Sequence, residues 1–298
     1  MNIAKFAAGV GNLTDMNRAI RLRLSTEKGI VDDLLLVKYV SGVETLCGGI
    51  EYALHCVSLQ AGMELKRFIA NPVELQFVTD SGKLRSVCGI VGGAAEGQSD
   101  GGLASYQLIV RDAFSLLDQT CNTRVFRNRS EVDITEIILR EWRRANPVAA
   151  AAFDFEFCGL KQYPAREFTM QYNESNAAFL RRLWKRRGIA WYIKAGVSTE
   201  RGHDNTPAHT LVLFDNPNAL EQNPVGAARY HRDGGTEQRD SITAWHAVRS
   251  LTAGRVNRHS WDYAQAWSMS SQETSLADQG VMGNQFAASI DDYLVDSP

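Results

Sequence analysis

Residues 50–57, IEYALHCV, constrain this chain more than any other stretch. Ile50, Tyr52, Leu54 and Cys56 fall on one side, and Glu51, Ala53, His55 and Val57 on the other. Period-two alternation is the mark of a strand with one buried face, because successive side chains of extended backbone point to opposite sides. The pattern recurs around it. Residues 71–91, NPVELQFVTDSGKLRSVCGIV, put Val73, Leu75 and Phe77 on an inner face, and the TDSGK centre supplies turn residues between two strands. Residues 103–110, LASYQLIV, align Tyr106, Leu108 and Val110. Several antiparallel strands with glycine-rich turns predict a barrel or sandwich. The stretch GGAAEGQSDGG, 92–102, reads as the connection of a hairpin.

The middle of the chain changes period. In SEVDITEIILREWRRANP, 130–147, Ile134, Ile137, Ile138 and Trp142 recur at helical spacing. Ser130 and Asp133 stand at the positions of a capping box, with Asp in place of the usual Glu or Gln. Asn146-Pro147 ends that helix. EFTMQY, 167–172, is a strand with Phe168, Met170 and Tyr172 on one face, and Asn173 or Ser175 caps the next helix.

That next helix carries five basic residues within Arg181–Arg187, beside Trp184. A basic, aromatic helix could grip nucleic acid or an anionic membrane. At about 100° per residue, however, Phe179, Leu180, Leu183 and Trp184 share one arc about 140° wide, and Arg181, Arg182, Lys185 and Arg186 lie opposite. The tryptophan is in the packing seam and the charges form a solvated face. Gly188 stops the helix. IAWYIK returns as a strand with Ile189, Trp191 and Ile193 aligned, and HTLVLFD, 209–215, is a further strand. In the last third, SITAWHAVRSLTAGRVNRHSWDYAQAW, 241–267, reads as two alternating stretches about a Thr-Ala-Gly turn, and the tail after Ser268 as polar and weakly patterned.

Composition narrows function. The 298 residues, 44% hydrophobic and 22% charged, fit a globular protein of about two domains. With 32 basic residues against 34 acidic, the chain lacks the surplus of a nucleic-acid binder. No run approaches the ~18 apolar residues of a membrane span, and the start lacks the pattern of a secretory signal, so a cytoplasmic origin is expected. Five scattered cysteines without a CxxC pair predict reduced, mostly buried thiols. His203, Asp204 and His209 cluster in a predicted loop, while His231, His246 and His259 are dispersed, and none has metal-ligand spacing. His55 sits on the polar side of its strand. No GxSxG elbow or phosphate loop occurs. Asp32-Asp33 and Asp291-Asp292 are merely adjacent. No catalytic, cofactor-binding or metal-binding residue is assigned.

The order of segments adds a resemblance. LLLVKYVSGVETLCGGIEYALHCVS (34–58), SDGGLASYQLIVRDAFSLL (99–117), RVFRNRSEVDITEIILREW (124–142), REFTMQYNESNAAFLRRLWKRRGIAWYI (166–193) and HTLVLFD follow one another as in a known family. The chain resembles the N-terminal, baseplate-hub-like region of VgrG proteins, the spikes of bacterial type VI secretion systems. Relatives often carry acidic residues where this chain has KRR before Gly188, as suits a variable solvated face.

The resemblance implies a mainly β fold with an α+β insert: two β-barrel-like domains joined by α+β elements, as in contractile-phage baseplate hubs. The implied domains are a first barrel at 1–118, an α+β domain at 119–216, and a second barrel or linking β region at 217–298. An OB-like domain and a β-helical needle are expected to lie outside these residues. It also implies a structural part rather than an enzyme. Three copies would assemble beneath a needle and against the hexameric tube protein of the haemolysin-coregulated protein family, with baseplate proteins and effectors as further partners. Nucleic acid and stable membrane insertion are not expected, and a phage or tailocin hub, or a spike-borne effector enzyme, is the alternative reading.

Overall fold

The computed structural model describes residues 18–26, 29–80, 82–99, 102–196, 206–222, 227–232, 241–262 and 266–296. The chain divides into two compact units, one essentially residues 1–227 and the other 228–298 apart from 238–240.

The first unit opens with seven strands: β1 (Ile20–Thr26), β2 (Gly29–Val31), β3 (Leu36–Thr45), β4 (Gly49–Ser58), β5 (Pro72–Val78), β6 (Leu84–Ser99) and β7 (Ala104–Arg111). They form one antiparallel sheet in the order β2-β1-β5-β6-β7-β4-β3. The alternation reads through directly: Tyr52, Leu54, Cys56, Leu75, Tyr106, Leu108 and Val110 are buried in one core, with Phe77 packed at its margin. Thr79 and Lys83 close the predicted β5–β6 turn, the Thr79 amide donating to the Lys83 carbonyl at 2.8 Å.

Two expectations are corrected here. Residues 92–99 are not a loop; β6 runs on to Ser99, shifting register near Gly93 and again before Ser99. Small residues disguise this strand, because Gly and Ala give no alternation to read. The sheet also does not close. β1 and β3 approach each other, but β2 and β3 remain its hydrogen-bonding edges, so it is barrel-like without being a sealed barrel.

A second core in the same unit is α+β. Short α1 (Ala113–Leu116) leads to β8 (Cys121–Arg129), α2 (Glu131–Ala145), α3 (Pro147–Ala152) and β9 (Phe153–Cys158). β10 (Arg166–Ser175), α4 (Asn176–Arg187), β11 (Ala190–Ala195) and β12 (His209–Phe214) follow. β12 pairs parallel to β9 and antiparallel to β11, and β8 pairs with β10. The predicted capping box is complete: the Asp133 amide donates to Ser130 Oγ, and the Ser130 amide to the Asp133 carboxylate. Asn146 ends α2 and also caps α3, its Oδ1 accepting from the amides of Val148 and Ala149.

The basic helix packs as its period requires. Phe179, Leu180, Leu183 and Trp184 are buried, and Arg182, Lys185 and Arg186 are exposed. The Trp184 indole packs 5.0 Å from Phe114 and 6.0 Å from Trp191, and its Nε1–H donates to Thr135 Oγ1 at 2.9 Å. Gly188 ends the helix at φ 69°, a left-handed conformation favourable to glycine. The face is less purely solvated than the period suggests. Arg181 holds Asp118 through two bonds of 2.8 and 2.9 Å, and Arg182 reaches Glu174. Arg187 lies 2.8 Å from Glu131, whose side chain is fully buried at the start of α2.

The second unit holds β13 (Arg229–Tyr230) beside β14 (Ser241–Ile242), and a three-stranded sheet of β16 (Trp267–Thr274), β15 (Arg255–Asp262) and β17 (Asp291–Asp296). β15 is antiparallel to β16 and parallel to β17. Helix α5 (Gly280–Ala287) precedes β17. The second stretch read from the sequence is therefore a strand pair, but the first is not: residues 243–254 form neither strand nor helix. Nor is the tail after Ser268 unpatterned, since it carries most of β16, α5 and β17. The described residues of this unit form an open sheet rather than a second barrel.

These contacts fix three outcomes measurable by urea denaturation. Trp184→Ala costs about 3–5 kcal/mol, as a large core truncation that also removes the indole hydrogen bond to Thr135. Arg186→Ala costs less than about 0.5 kcal/mol. Arg187→Met costs about 3 kcal/mol, because it leaves the Glu131 carboxylate buried and unpaired. Equal losses at Trp184 and Arg186, or none at Arg187, contradict the placement of α4.

Candidate functional site

The residues a catalytic site would need are kept apart by the fold. His203 and Asp204 lie outside the described residues. His209 is not in a polar loop; it begins β12 and is fully buried. His55 and His246 are exposed, and the His259 ring lies tilted against Tyr293, centroids 5.9 Å apart. Asp32 faces Arg23, Asp291 faces Arg255 and Asp292 faces Arg258, so these carboxylates are neighbours of strand arginines rather than a pair. Among the described residues no three His, Cys, Asp or Glu side chains come together as metal ligands.

The thiols are free, but the expectation that most are buried is corrected. Cys56 and Cys88 are buried, Cys47 and Cys121 exposed and Cys158 between. Burial pushes the Cys88 thiol up to about 12, which makes it inert as a nucleophile.

The concentrated chemistry of the first unit lies where its two cores meet. Asp112, buried at the end of β7, accepts from the Ile50 amide at 3.1 Å and from the Ser115 amide at 2.9 Å. It thereby joins the start of β4 to the cap of α1. Gly49 makes room for it: at φ 83°, a Cβ there would stand 2.3 Å from Asp112 Oδ2. One residue on, the Ala113 amide donates to His209 Nε2 at 2.8 Å. The imidazole is therefore neutral, with its proton on Nδ1. The Cys47 amide, in the β3–β4 turn, donates to the Trp191 carbonyl at 2.8 Å. The Asp112 and Cys47 ties clamp the large sheet to the α+β core, and the Ala113–His209 bond anchors α1 to β12 inside that core. Their partners are backbone amides, which suits a joint rather than a reaction centre.

Burial sets both titrations. His209 is pushed down from 6.5 to about 3 by loss of solvent. Between those values the unfolded chain binds a proton that the folded chain refuses, so the stability this group confers is complete above pH 6.5 and is lost as pH falls toward 3. Asp112 is raised by burial, more than its backbone bonds lower it, and so acts in the opposite sense. The urea midpoint of the unaltered protein is expected to drop between pH 6.5 and 4.5, and the drop to be smaller in His209→Gln, which still accepts from Ala113. Identical slopes contradict a buried neutral imidazole.

The second unit offers surface instead of chemistry. Among its described residues Ala287 is the one buried hydrophobic side chain. Trp245, Val248, Leu276, Val281, Met282 and Phe286 are each at least 65% exposed. A shallow recess of about 640 Å³ beside Val256, Arg258 and Glu273 is lined by polar and apolar groups without a converging set. Apolar side chains in this number, with no core of their own, mark a surface made to be covered. The signal was present in the sequence as the tryptophans and Met269 of 245–269, but alternation alone did not say that these side chains find no core within their own unit.

Known proteins share this arrangement. Residues 43–294 match the family described as the phage tail baseplate hub (GPD). The type VI secretion spike proteins VgrG1b, VgrG1c and VgrG1a of Pseudomonas aeruginosa are 27%, 26% and 28% identical to the chain, each over 78% of it. The chain spans 29%, 30% and 34% of their respective lengths. Among solved structures, an Escherichia coli component of the type VI secretion system superposes with a TM-score of 0.55 at 21% identity, covering 70% of this chain and 51% of that one. It is described as similar to the T4 tail proteins gp27 and gp5. A tail protein from Neisseria meningitidis gives 0.53 at 11% identity, covering 93% of this chain and 72% of that one. At these identities the likeness is one of fold, and it is the fold of tail and spike hubs. With the match extending from residue 43 to residue 294, across both units, this chain belongs to the phage tail baseplate hub family.

Proposed function

We propose that the chain is the hub portion of the spike of a type VI secretion machine. Three copies form a socket between the hexameric tube protein and a needle that carries effectors, and no substrate is turned over. In this reading residues 1–118, 119–216 and 217–298 are respectively a first barrel-like domain, an α+β domain and a second hub segment. The observation that carries it is the hub match across both units, taken with the uncovered apolar surface of the second. A surface of that kind suits a chain that completes its packing in an assembly. A threefold arrangement closes a head-to-tail interface into a ring. The protein would be assembled in the cytoplasm and then expelled with the spike.

One similar protein, from Vibrio cholerae, is named an actin cross-linking toxin, but this chain covers 17% of it, and no activity is carried over. A phage or tailocin hub is the second reading. It is favoured by the Neisseria tail protein and by a prophage tail protein of Shewanella oneidensis, each covering 93% of the chain against 70% for the Escherichia coli secretion component.

Sedimentation velocity and native mass spectrometry on the full-length gene product test the proposal. Three copies are expected, and immobilised product should retain the tube protein. A stable dimer, or a trimer that never retains tube rings, overturns it. A trimer that retains phage-type tube protein instead selects the second reading.

A further inference from the structure

The two-stranded sheet of β8 and β10 has one covered face and one open face. On the covered side Phe126 stacks on Phe179 at 5.8 Å. Gln171, fully buried, donates from Nε2 to Asn176 Oδ1 at 2.9 Å and to the Glu174 carbonyl at 3.1 Å. The open side carries the residues that alternate with these. Val125 stands opposite Met170, Arg127 opposite Phe168, and Arg129 opposite Arg166. Residues in register on an antiparallel pair project to the same side.

The usual order of a half-buried sheet is inverted here. Thr169 and Gln171 point inward, while Val125, Phe168, Met170 and Tyr172 are 45%, 47%, 36% and 70% exposed. Polar residues at those positions would cost nothing in water, so the apolar ones call for a covering partner.

Charge narrows the kind of partner. Like charges directly opposite on a ladder repel, as Arg129 and Arg166 do, and Arg127 lies two residues along the same face. Among the described residues no ion pair joins Arg127 or Arg129 to a carboxylate; Glu174 and Asp118, elsewhere on this side of the fold, are held by Arg182 and Arg181. The result is an apolar strip with a cationic end.

We infer that this face docks a segment of another protein in which apolar side chains alternate with carboxylates, the apolar groups lying over Phe168 and Met170 and the carboxylates against Arg127 and Arg129. The contact is small, of the size of a transient interface, and part of its strength is electrostatic and screened by salt. It is distinct from the surface of residues 241–296 and does not rest on a threefold assembly.

The test uses the full chain and two fluorescent peptides of equal length: one alternating Glu with Val and Phe, the other identical but with Lys for Glu. The acidic peptide should bind at low salt and the basic one should not. Binding should weaken about tenfold or more in Arg127→Glu/Arg129→Glu, and by a similar factor in Phe168→Ser/Tyr172→Ser. All four positions are at the surface, and the milder pair Arg127→Gln/Arg129→Gln keeps the charge test available if the reversal disturbs folding by circular dichroism. No binding of the acidic peptide at millimolar concentration, equal binding of both peptides, or acidic-peptide binding that neither pair of changes weakens overturns the inference. So does self-association of the unaltered chain that Phe168→Ser/Tyr172→Ser abolishes, since the occupant would then be a second copy.

Discussion

A carboxylate buried between two hydrophobic cores holds the first unit together. Asp112 can stay out of water only because the amides of Ile50 and Ser115 meet its two oxygens, and Gly49 alone lets the backbone come close enough. The neighbouring Ala113 amide finds His209, and Cys47 finds Trp191. The Ser115–Asp112 and Cys47–Trp191 bonds run between the large sheet and the α+β core, and the Ala113–His209 bond fixes α1 to β12 within that core. Two apolar cores could slide on one another, since hydrophobic packing is non-directional; buried hydrogen bonds cannot be remade a few ångströms away. A joint of this kind suits the hub role proposed above, in which the chain transmits position.

With that joint fixed, what remains to be satisfied is on the outside. The first unit buries its large aromatics: Trp184, Trp191, Phe114, Phe153 and Phe179 are all within its cores. The second unit exposes its own, with Trp245, Trp261, Trp267 and Phe286 more than half exposed. Two halves of one chain thus solve the same problem differently. The first buries most of its large aromatics and leaves the β8/β10 face open, and the second has strands and a helix whose apolar groups have no counterpart in it. In the proposed reading, this asymmetry is resolved when other subunits cover the second unit.

Much of the first unit was legible because its patterns are local. The inward faces of β4, β5 and β7, the Ser130–Asp133 box and the arc from Phe179 to Trp184 each depend on residues a few positions apart. What failed to be read depends on partners far along the chain or outside it. Phe168, Met170 and Tyr172 do share a face, but period two does not say which face is wet. His209 looked like part of a polar loop because the residues before it are polar, while its burial is decided by Phe153 and Ala113. Glu131 and Arg187, 56 positions apart, gave no sign of pairing. Residues 243–251 alternate without forming a strand, since an alternating segment needs a neighbour to pair with. Helix α5 was missed because Gly280 and Gly283 weaken its propensity.

The central claim is that residues 241–296 complete their packing only in the assembly. Amide hydrogen exchange on the full-length product, compared between dissociated and assembled forms, addresses it directly. Protection is expected to rise on assembly in β15, β16, α5 and β17, and to stay unchanged in α2 and α4, which already sit on a finished core. Equal protection of β15–β17 in both forms would contradict the account.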